Sequence, residues 1–201
     1  MAKTLLELAG ATPTPSRLGA STLVLIDIQN EYFDGPLKLA GVEAAAQAAA
    51  GLLTRARALG TPVIHVRHRG KPGGAFDPDA PRGQIHASVA PLPGETVIDK
   101  GLPNGFANTT LAETLEAIGP RALVVAGFMT HMCVSATVRS ALDRGLASTV
   151  AMDATATRAL PDPTNESGAG GDLPADTVHR AALAAIADRF ATVVPAADIP
   201  D

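Results

Sequence analysis

The stretch "RALVVAGFMTHMCVSATVRSA", from Arg121 to Ala141, decides the fold. Its first seven residues are a short apolar run that is rich in β-branched and small side chains, and they predict a buried strand. The residues after Cys133 predict a helix that ends near Gly145. The stretch therefore predicts a strand that turns directly into a helix, with the single cysteine of the chain at that turn.

The same alternation of strand and helix recurs along the chain. Further strands are predicted at 21–27, 62–67, 95–99, 148–153 and 191–194, and further helices at 41–60, 109–119 and 174–190. Short strands that are apolar on both faces and alternate with helices indicate a parallel sheet covered by helices on both sides. We therefore expect an α/β fold of three layers, built on a six-stranded parallel sheet.

The composition is that of an ordinary globular protein, with 46% hydrophobic and 18% charged residues. Its 201 residues suit a single domain spanning 1–201, in which 1–20 form an N-terminal extension. The net charge of −4, without a basic cluster, argues against nucleic acid as a partner. The lone cysteine fits a reducing compartment, and we find neither a secretion signal nor a membrane-spanning run. We expect a cytoplasmic protein without a membrane partner.

Two long connections, 68–93 and 161–173, are predicted to lack regular structure. Loops of this length in a compact domain are usually functional or mobile. Both loops are therefore candidates for the border of a functional site.

Three reactive side chains lie at predicted strand ends, where ligands of open parallel sheets bind. Asp27 ends the first strand, Lys100 follows the third, and Cys133 comes just after the fourth. Taken singly, each has a simpler reading: a turn residue, a solvated charge and a small buried hydrophobe. Taken together, they are the parts needed to cleave an acyl–nitrogen bond. A helix N-terminus and a lysine both favour a thiolate, and a carboxylate can accept the thiol proton.

Three motifs resemble those of the isochorismatase-like cysteine hydrolases, a superfamily that includes nicotinamidases, N-carbamoylsarcosine amidohydrolases and maleamate amidohydrolases. They are "LVLIDIQNEYF", "VIDKGLPNGFANTTL" and "VVAGFMTHMCVSATVRSALDRG", and they contain Asp27, Lys100 and Cys133 in that order. The segments "DATATRAL" and "VHRAALAAIADRFATVV" also fit. The resemblance covers most of the chain, from about residue 22 to 194.

The resemblance implies a Rossmann-like sheet with strand order 3-2-1-4-5-6 and a catalytic triad. Cys133 would be the nucleophile, Asp27 the general base and then the acid, and Lys100 would position both. A cis peptide bond is implied between Phe128 and Met129, and the N–H groups of Met129 and Cys133 would form the oxyanion hole. The implied reaction is hydrolysis of a small amide, ureido or carbamoyl C–N bond through a thioester.

Departures from the family patterns narrow this expectation. Nicotinamidases hold a metal with an Asp-x-His pair after the second strand, and no Asp precedes His68 here. His65, His68 and His86 form no ligand spacing that we can assign, so we expect neither a metal nor another cofactor. Isochorismatases themselves cleave a vinyl ether and carry glycine at the nucleophile position. The presence of Cys133 therefore argues against a vinyl-ether hydrolase of that type.

Five residues match positions that line the substrate pocket in the family: Tyr32, Phe33, Asn104, Phe106 and His131. For each aromatic residue, simple core packing is the alternative.

A thiol protein without turnover, such as a redox sensor, is a second functional hypothesis, although the chain has no resolving cysteine. Family members usually associate, so we expect a homo-oligomer, a dimer or a tetramer, with 68–93 or 161–173 near a subunit boundary.

Overall fold

A computed structural model describes residues 2–119, 121–164 and 171–201 of the chain. Its strands are β1 (Ser21–Ile26), β2 (Val63–His68), β3 (Thr96–Lys100), β4 (Ala122–Phe128), β5 (Ser148–Ala156) and β6 (Thr192–Val194). Its helices are α1 (Leu5–Leu8), α2 (Glu31–Asp34), α3 (Val42–Ala58), α4 (Leu111–Ile118), α5 (Ser135–Asp143) and α6 (Ala175–Arg189).

The six strands form one parallel sheet in the order β3-β2-β1-β4-β5-β6. Helices α2 and α3 pack on one face, and α4, α5 and α6 pack on the other. The predicted α/β sandwich and its strand order are confirmed. The chain adds β2 and then β3 on one side of β1, and it then returns to add β4, β5 and β6 on the other side. A crevice forms at the carboxyl ends of β1 and β4, where the order of strands changes direction.

Alternate residues of β1 supply the two hydrophobic cores. Leu23 and Leu25 point into the core under α3, while Val24 and Ile26 point into the core under α4 to α6. All four side chains are buried, and successive side chains of a strand point to opposite faces. This explains why the strand is apolar at every position and does not alternate with polar residues.

The two central strands approach each other closely where β4 passes the end of β1. Gly127 pairs with Ile26 and has a φ angle of +123°. A Cβ atom at this position would lie 2.0 Å from the carbonyl oxygen of Ile26, so a glycine is required there. Asp27, the residue directly after β1, also has a left-handed backbone conformation, with a φ angle of +51°.

Loop 68–93 is more regular than predicted, since it contains two 3₁₀ turns, Pro81–Gly83 and Ala87–Val89. The buried side chain of Gln29 anchors it, because its Nε2 donates to the carbonyl oxygen of Gly83 at 2.8 Å. The glycine and proline residues of the loop did not predict this hydrogen bond, because it joins residues that are far apart in the sequence. The loop is therefore attached to the carboxyl end of β1, beside the crevice.

Loop 161–173 is described only at its two ends. Leu160 and Leu173 exchange backbone hydrogen bonds of 3.0 and 2.7 Å, which brings the ends of the loop together. Residues 165–170 lie outside the described residues. The expectation that this loop borders a neighbouring subunit stays a prediction.

Several strands end one or more residues later than the sequence pattern indicated. β2 ends at His68, and β3 includes Lys100, which was expected to follow the strand. β5 continues to Ala156, beyond the predicted end at Asp153. These extensions carry the polar residues His68 and Lys100 onto the sheet itself, at neighbouring register positions.

The N-terminal segment lies against the body of the fold. The backbone N–H of Leu5 donates to the carboxylate of Asp188 at 2.8 Å, and that of Leu18 donates to the carbonyl oxygen of Pro200 at 2.7 Å. Among the described helices, we find none with the length and apolar character needed to cross a bilayer.

Candidate active site

The carboxyl edge of the sheet brings Asp27, Lys100 and Cys133 together. Nζ of Lys100 lies 2.6 Å from Oδ2 of Asp27 and 3.4 Å from Sγ of Cys133. All three residues are buried, with exposed fractions of 0%, 2% and 5% in that order. The geometry therefore places one ammonium group between a carboxylate and a thiol, in a site shielded from water.

Each member of this cluster comes from a different structural element. Asp27 follows β1, Lys100 is the last residue of β3, and Cys133 lies in a π-helical turn, Thr130–Val134, which joins β4 to α5. The side chain of Lys100 reaches from β3 past β2 to the centre of the sheet. Oδ1 of Asp27 has no hydrogen-bond partner in the described structure, so this oxygen is available to accept a proton.

The electrostatics of the thiol differ from the sequence prediction. Burial and the Asp27 carboxylate raise the pKa of Cys133 to about 12, although Lys100 acts in the opposite direction. Burial and Asp27 therefore oppose the thiolate that the sequence predicts for the resting site, while Lys100 favours it. Burial also raises the pKa of Asp27, against the lowering effect of Lys100. One cation cannot stabilise two buried anions equally well, so carboxylate and thiol retain one proton between them.

The peptide bond between Phe128 and Met129 is cis, as the resemblance implies. The π-helical turn follows at once, and the carbonyl oxygen of Met129 accepts the backbone N–H of Val134 at 3.2 Å. Met129 and Cys133 are thereby held within the same turn. Their proposed role as the two oxyanion-hole donors stays a prediction.

Tyr32 is a predicted substrate-binding residue whose phenol is affected by the charges of Asp27 and Cys133. It is buried, and its ring contacts Phe76 at a centroid distance of 5.0 Å and Phe128 at 5.7 Å. Burial and the negative charges that Asp27 and Cys133 carry when ionised raise the pKa of its phenol. Tyr32 therefore stays protonated beside the reactive groups and can donate a hydrogen bond.

The other predicted pocket residues are not all gathered in one place. Phe33 stacks on the ring of His86 at 3.8 Å, under loop 68–93. Asn104 accepts the backbone N–H of Phe106 at 2.9 Å and so shapes its own loop. Phe106 is buried, lies beneath the guanidinium of Arg144, and lines a groove of about 450 Å³ between α4 and the turn that follows α5. Core and groove packing therefore account for the position of Phe106.

His131 contacts the end of β5. Its Nδ1 lies 2.6 Å from Oγ1 of Thr157, and burial together with the charge of Arg158 lowers its pKa.

The sequence reasoning did not single out Arg158, although the segment "DATATRAL" contains it. The positive charge of Arg158 also acts on Tyr32, and its buried Nε has no hydrogen-bond partner among the described residues. A buried donor of this kind is a candidate contact for a substrate.

The three histidines considered as metal ligands have other partners. His65 pairs with Glu95 at 2.9 Å, His86 stacks on an aromatic ring, and Nδ1 of His68 lies 3.3 Å from Nζ of Lys100. Within the described ranges, no three His, Cys, Asp or Glu side chains are grouped as a metal site would require. Independence of metal stays a prediction, but the structure does reveal His68 as a neighbour of the reactive cluster.

Comparison with known proteins supports the assignment that the fold and the cluster suggest. The chain matches the isochorismatase domain model over residues 21–198. It is similar to the crystal structure of an isochorismatase from Pseudomonas putida, with a TM-score of 0.92 and 44% identity, covering 99% of this chain and 100% of that one.

Two relatives have names that describe a reaction. Streptothricin hydrolase of Streptomyces noursei is 35% identical over 89% of this chain and 69% of its own length. Maleamate amidohydrolase of Pseudomonas putida is 36% identical over 64% of this chain and 68% of its own length. With the match over residues 21–198, these similarities establish that the chain is a hydrolase that belongs to the isochorismatase family.

Proposed function

We propose that the protein hydrolyses the C–N bond of a small amide, ureido or carbamoyl compound through a thioester on Cys133, without a metal. The observation that carries the proposal is the position of the Lys100 ammonium, 2.6 Å from Asp27 and 3.4 Å from the thiol. The similarity to maleamate amidohydrolase supports the class of bond. The family match supports hydrolysis as the reaction.

In the acylation step, the sulfur of Cys133 attacks the carbonyl carbon while its proton passes to Asp27. The site holds the same net charge before and after this transfer, because the carboxylate is neutralised as negative charge develops on the substrate. The ammonium of Lys100 lies within reach of both groups and stabilises whichever partner is anionic. This transfer explains how a thiol with a pKa of about 12 can serve as a nucleophile at neutral pH.

The protonated Asp27 then donates its proton to the leaving nitrogen, and the C–N bond breaks to give an amine or ammonia and the thioester. In the second half of the reaction, Asp27 removes a proton from a water molecule that attacks the thioester. The thiolate leaves as the acid forms, and the proton returns to sulfur. The raised pKa of Asp27 suits a group that must both accept and release a proton.

The polar surroundings favour a substrate that carries an anionic group. Of the arginines near loop 68–93, Arg67 binds Asp99 at 2.8 Å and Arg82 lies 3.8 Å from the buried carboxylate of Glu31. Arg158 differs from both, since none of the residues that the structure describes accepts a hydrogen bond from its buried Nε. A substrate carboxylate could accept a hydrogen bond from this donor, as charged pairs of this type do.

A panel of amides tests the proposal by the release of ammonia or amine. The panel pairs each amide that carries a carboxylate with its neutral analogue, and each is assayed with wild-type protein, Cys133→Ala and wild-type protein after treatment with EDTA. We expect turnover of at least one carboxylated amide, loss of this turnover in Cys133→Ala, and no effect of EDTA. Turnover that Cys133→Ala retains, or that metal restores after EDTA, would overturn the proposal.

A further inference from the structure

The ammonium of Lys100 has three acceptors around it, and only two belong to the triad. A lysine ammonium has three N–H donors and no acceptor. Besides Asp27 and Cys133, Nδ1 of His68 lies 3.3 Å from Nζ of Lys100. Since Lys100 is 2% exposed, water cannot readily take the place of any of these partners. His68 therefore completes the hydrogen bonding of a fully buried cation.

The contact fixes the proton on the opposite nitrogen of His68. Because Lys100 can only donate, Nδ1 of His68 must offer its lone pair, and the neutral ring then carries its proton on Nε2. Burial and the charge of Lys100 lower the pKa of His68 to about 4, which is consistent with a neutral ring at pH 7.

Three further contacts hold His68 in place, two at its backbone and one at its ring. Its backbone N–H donates to Oε1 of Gln29 at 2.9 Å, and the side chain of Gln29 is itself buried. The ring meets the edge of Phe76 at a centroid distance of 5.2 Å. The carbonyl oxygen of His68 also accepts Nε2 of Gln29 at 2.9 Å. The last residue of β2 is thereby oriented toward the last residue of β3, at the paired register position.

We propose that His68 is a positioning residue of the hydrolase, which accepts the third hydrogen bond of Lys100 and so holds the ammonium between Asp27 and Cys133. The proposal rests on the proposed function for its effect on turnover, but the contact itself does not. Without the acceptor, the ammonium of Lys100 would keep a buried, unsatisfied donor or rotate toward Asp27, and the distance from Nζ to Sγ would increase.

A matched pair of variants separates this role from simple packing. His68→Asn retains an acceptor, because the amide oxygen of asparagine can occupy nearly the position of Nδ1, whereas His68→Leu offers similar volume without one. With an amide that the wild type hydrolyses, we expect kcat to fall about ten- to a hundredfold in His68→Leu, as for the loss of one charged hydrogen bond. We expect KM to stay within about threefold and His68→Asn to recover most of kcat.

Two outcomes of this assay would overturn the proposal. One is a kcat in His68→Leu within about twofold of the wild type. The other is an equal loss in both variants while their melting temperatures match, since steric fit and not the acceptor would then be responsible. If His68→Leu fails to fold, the kcat of His68→Asn decides, and a value that falls as far as predicted for leucine would also contradict the inference.

A second measurement needs no substrate. The ¹⁵N spectrum of protein labelled at its five histidines, with His68 assigned by the signal lost in His68→Asn, reports which ring nitrogen carries the proton. We expect an unprotonated Nδ1 and a protonated Nε2 at pH 7. A proton on Nδ1, or a doubly protonated ring, would overturn the inference even if the enzyme hydrolyses amides. The expected tautomer in a protein that hydrolyses none would overturn only the proposed function.

Discussion

Replacement of Asp27 by asparagine should make Cys133 more reactive toward alkylating agents and at the same time slow turnover severely. With a pKa of about 12, only about one Cys133 in 10⁵ is a thiolate at pH 7, against about one in 30 for a free cysteine of pKa ~8.5. Iodoacetamide should therefore label the wild type roughly a thousandfold or more slowly than free cysteine. Burial of Sγ slows the labelling further.

Asp27→Asn removes the carboxylate that raises this pKa and leaves Lys100 to stabilise the thiolate. Each unit by which the pKa falls increases the thiolate fraction about tenfold at neutral pH. We expect labelling of Asp27→Asn at least about tenfold faster than that of the wild type, together with a ~10²- to 10⁴-fold loss of turnover, because the base is absent. The assay follows the mass of the intact protein with time, at several pH values.

The matched control is Asp99→Asn, since Asp99 lies at the same edge of the sheet but binds Arg67 and Arg69. Its labelling rate should equal that of the wild type. The reasoning is refuted if Asp27→Asn reacts no faster than the wild type, or if it still forms an acyl-enzyme at the full rate.

Three further predictions concern stability and assembly. Gly127→Ala should destabilise the fold by about 3 kcal/mol or more, because the new Cβ would meet the carbonyl oxygen of Ile26, and an unchanged midpoint of chemical denaturation would contradict this. Arg57 holds the pKa of Glu95 at about 2, below its value of 4.5 in the unfolded chain. Glu95 therefore contributes at most about 3 kcal/mol to the free energy of unfolding above pH ~4.5, and this contribution is lost as the pH falls toward 2. The variant Glu95→Gln should lack this contribution at neutral pH. Light scattering should give a dimer or tetramer, and a mass of 20.4 kDa at micromolar concentration would disprove association.

The fold was predictable because its signals are local. The apolar residues of β1 and β4 and the glycines that end the helices are short-range patterns, and they identify the alternation of strands and helices. The strand order came from the resemblance of three motifs, and not from the apolar patterns themselves. The ends of β3 and β5 were misjudged, because Lys100 and the residues after Asp153 are polar or small and join the sheet through their neighbours.

The identity of the reactive residues was predictable, but their electrostatic state was not. The direction in which the pKa of Cys133 shifts depends on how deeply Sγ is buried and how close Asp27 lies, and neither quantity is a property of the local sequence. The same holds for His68 and Arg158. His68 contacts Lys100, which lies 32 positions further along the chain, and the charge of Arg158 acts on Tyr32 and His131, which are also distant in sequence.

The central claim is that Cys133 forms a thioester with the acyl part of an amide. Intact-protein mass spectrometry of a reaction quenched with acid, followed by peptide mapping, tests this claim most directly. With an amide that the wild type hydrolyses, we expect an adduct with the mass of the acyl group on the peptide that contains Cys133, which disappears as the substrate is consumed. Continued hydrolysis by Cys133→Ser at the wild-type rate, with no adduct on any peptide of the wild type, would contradict the account.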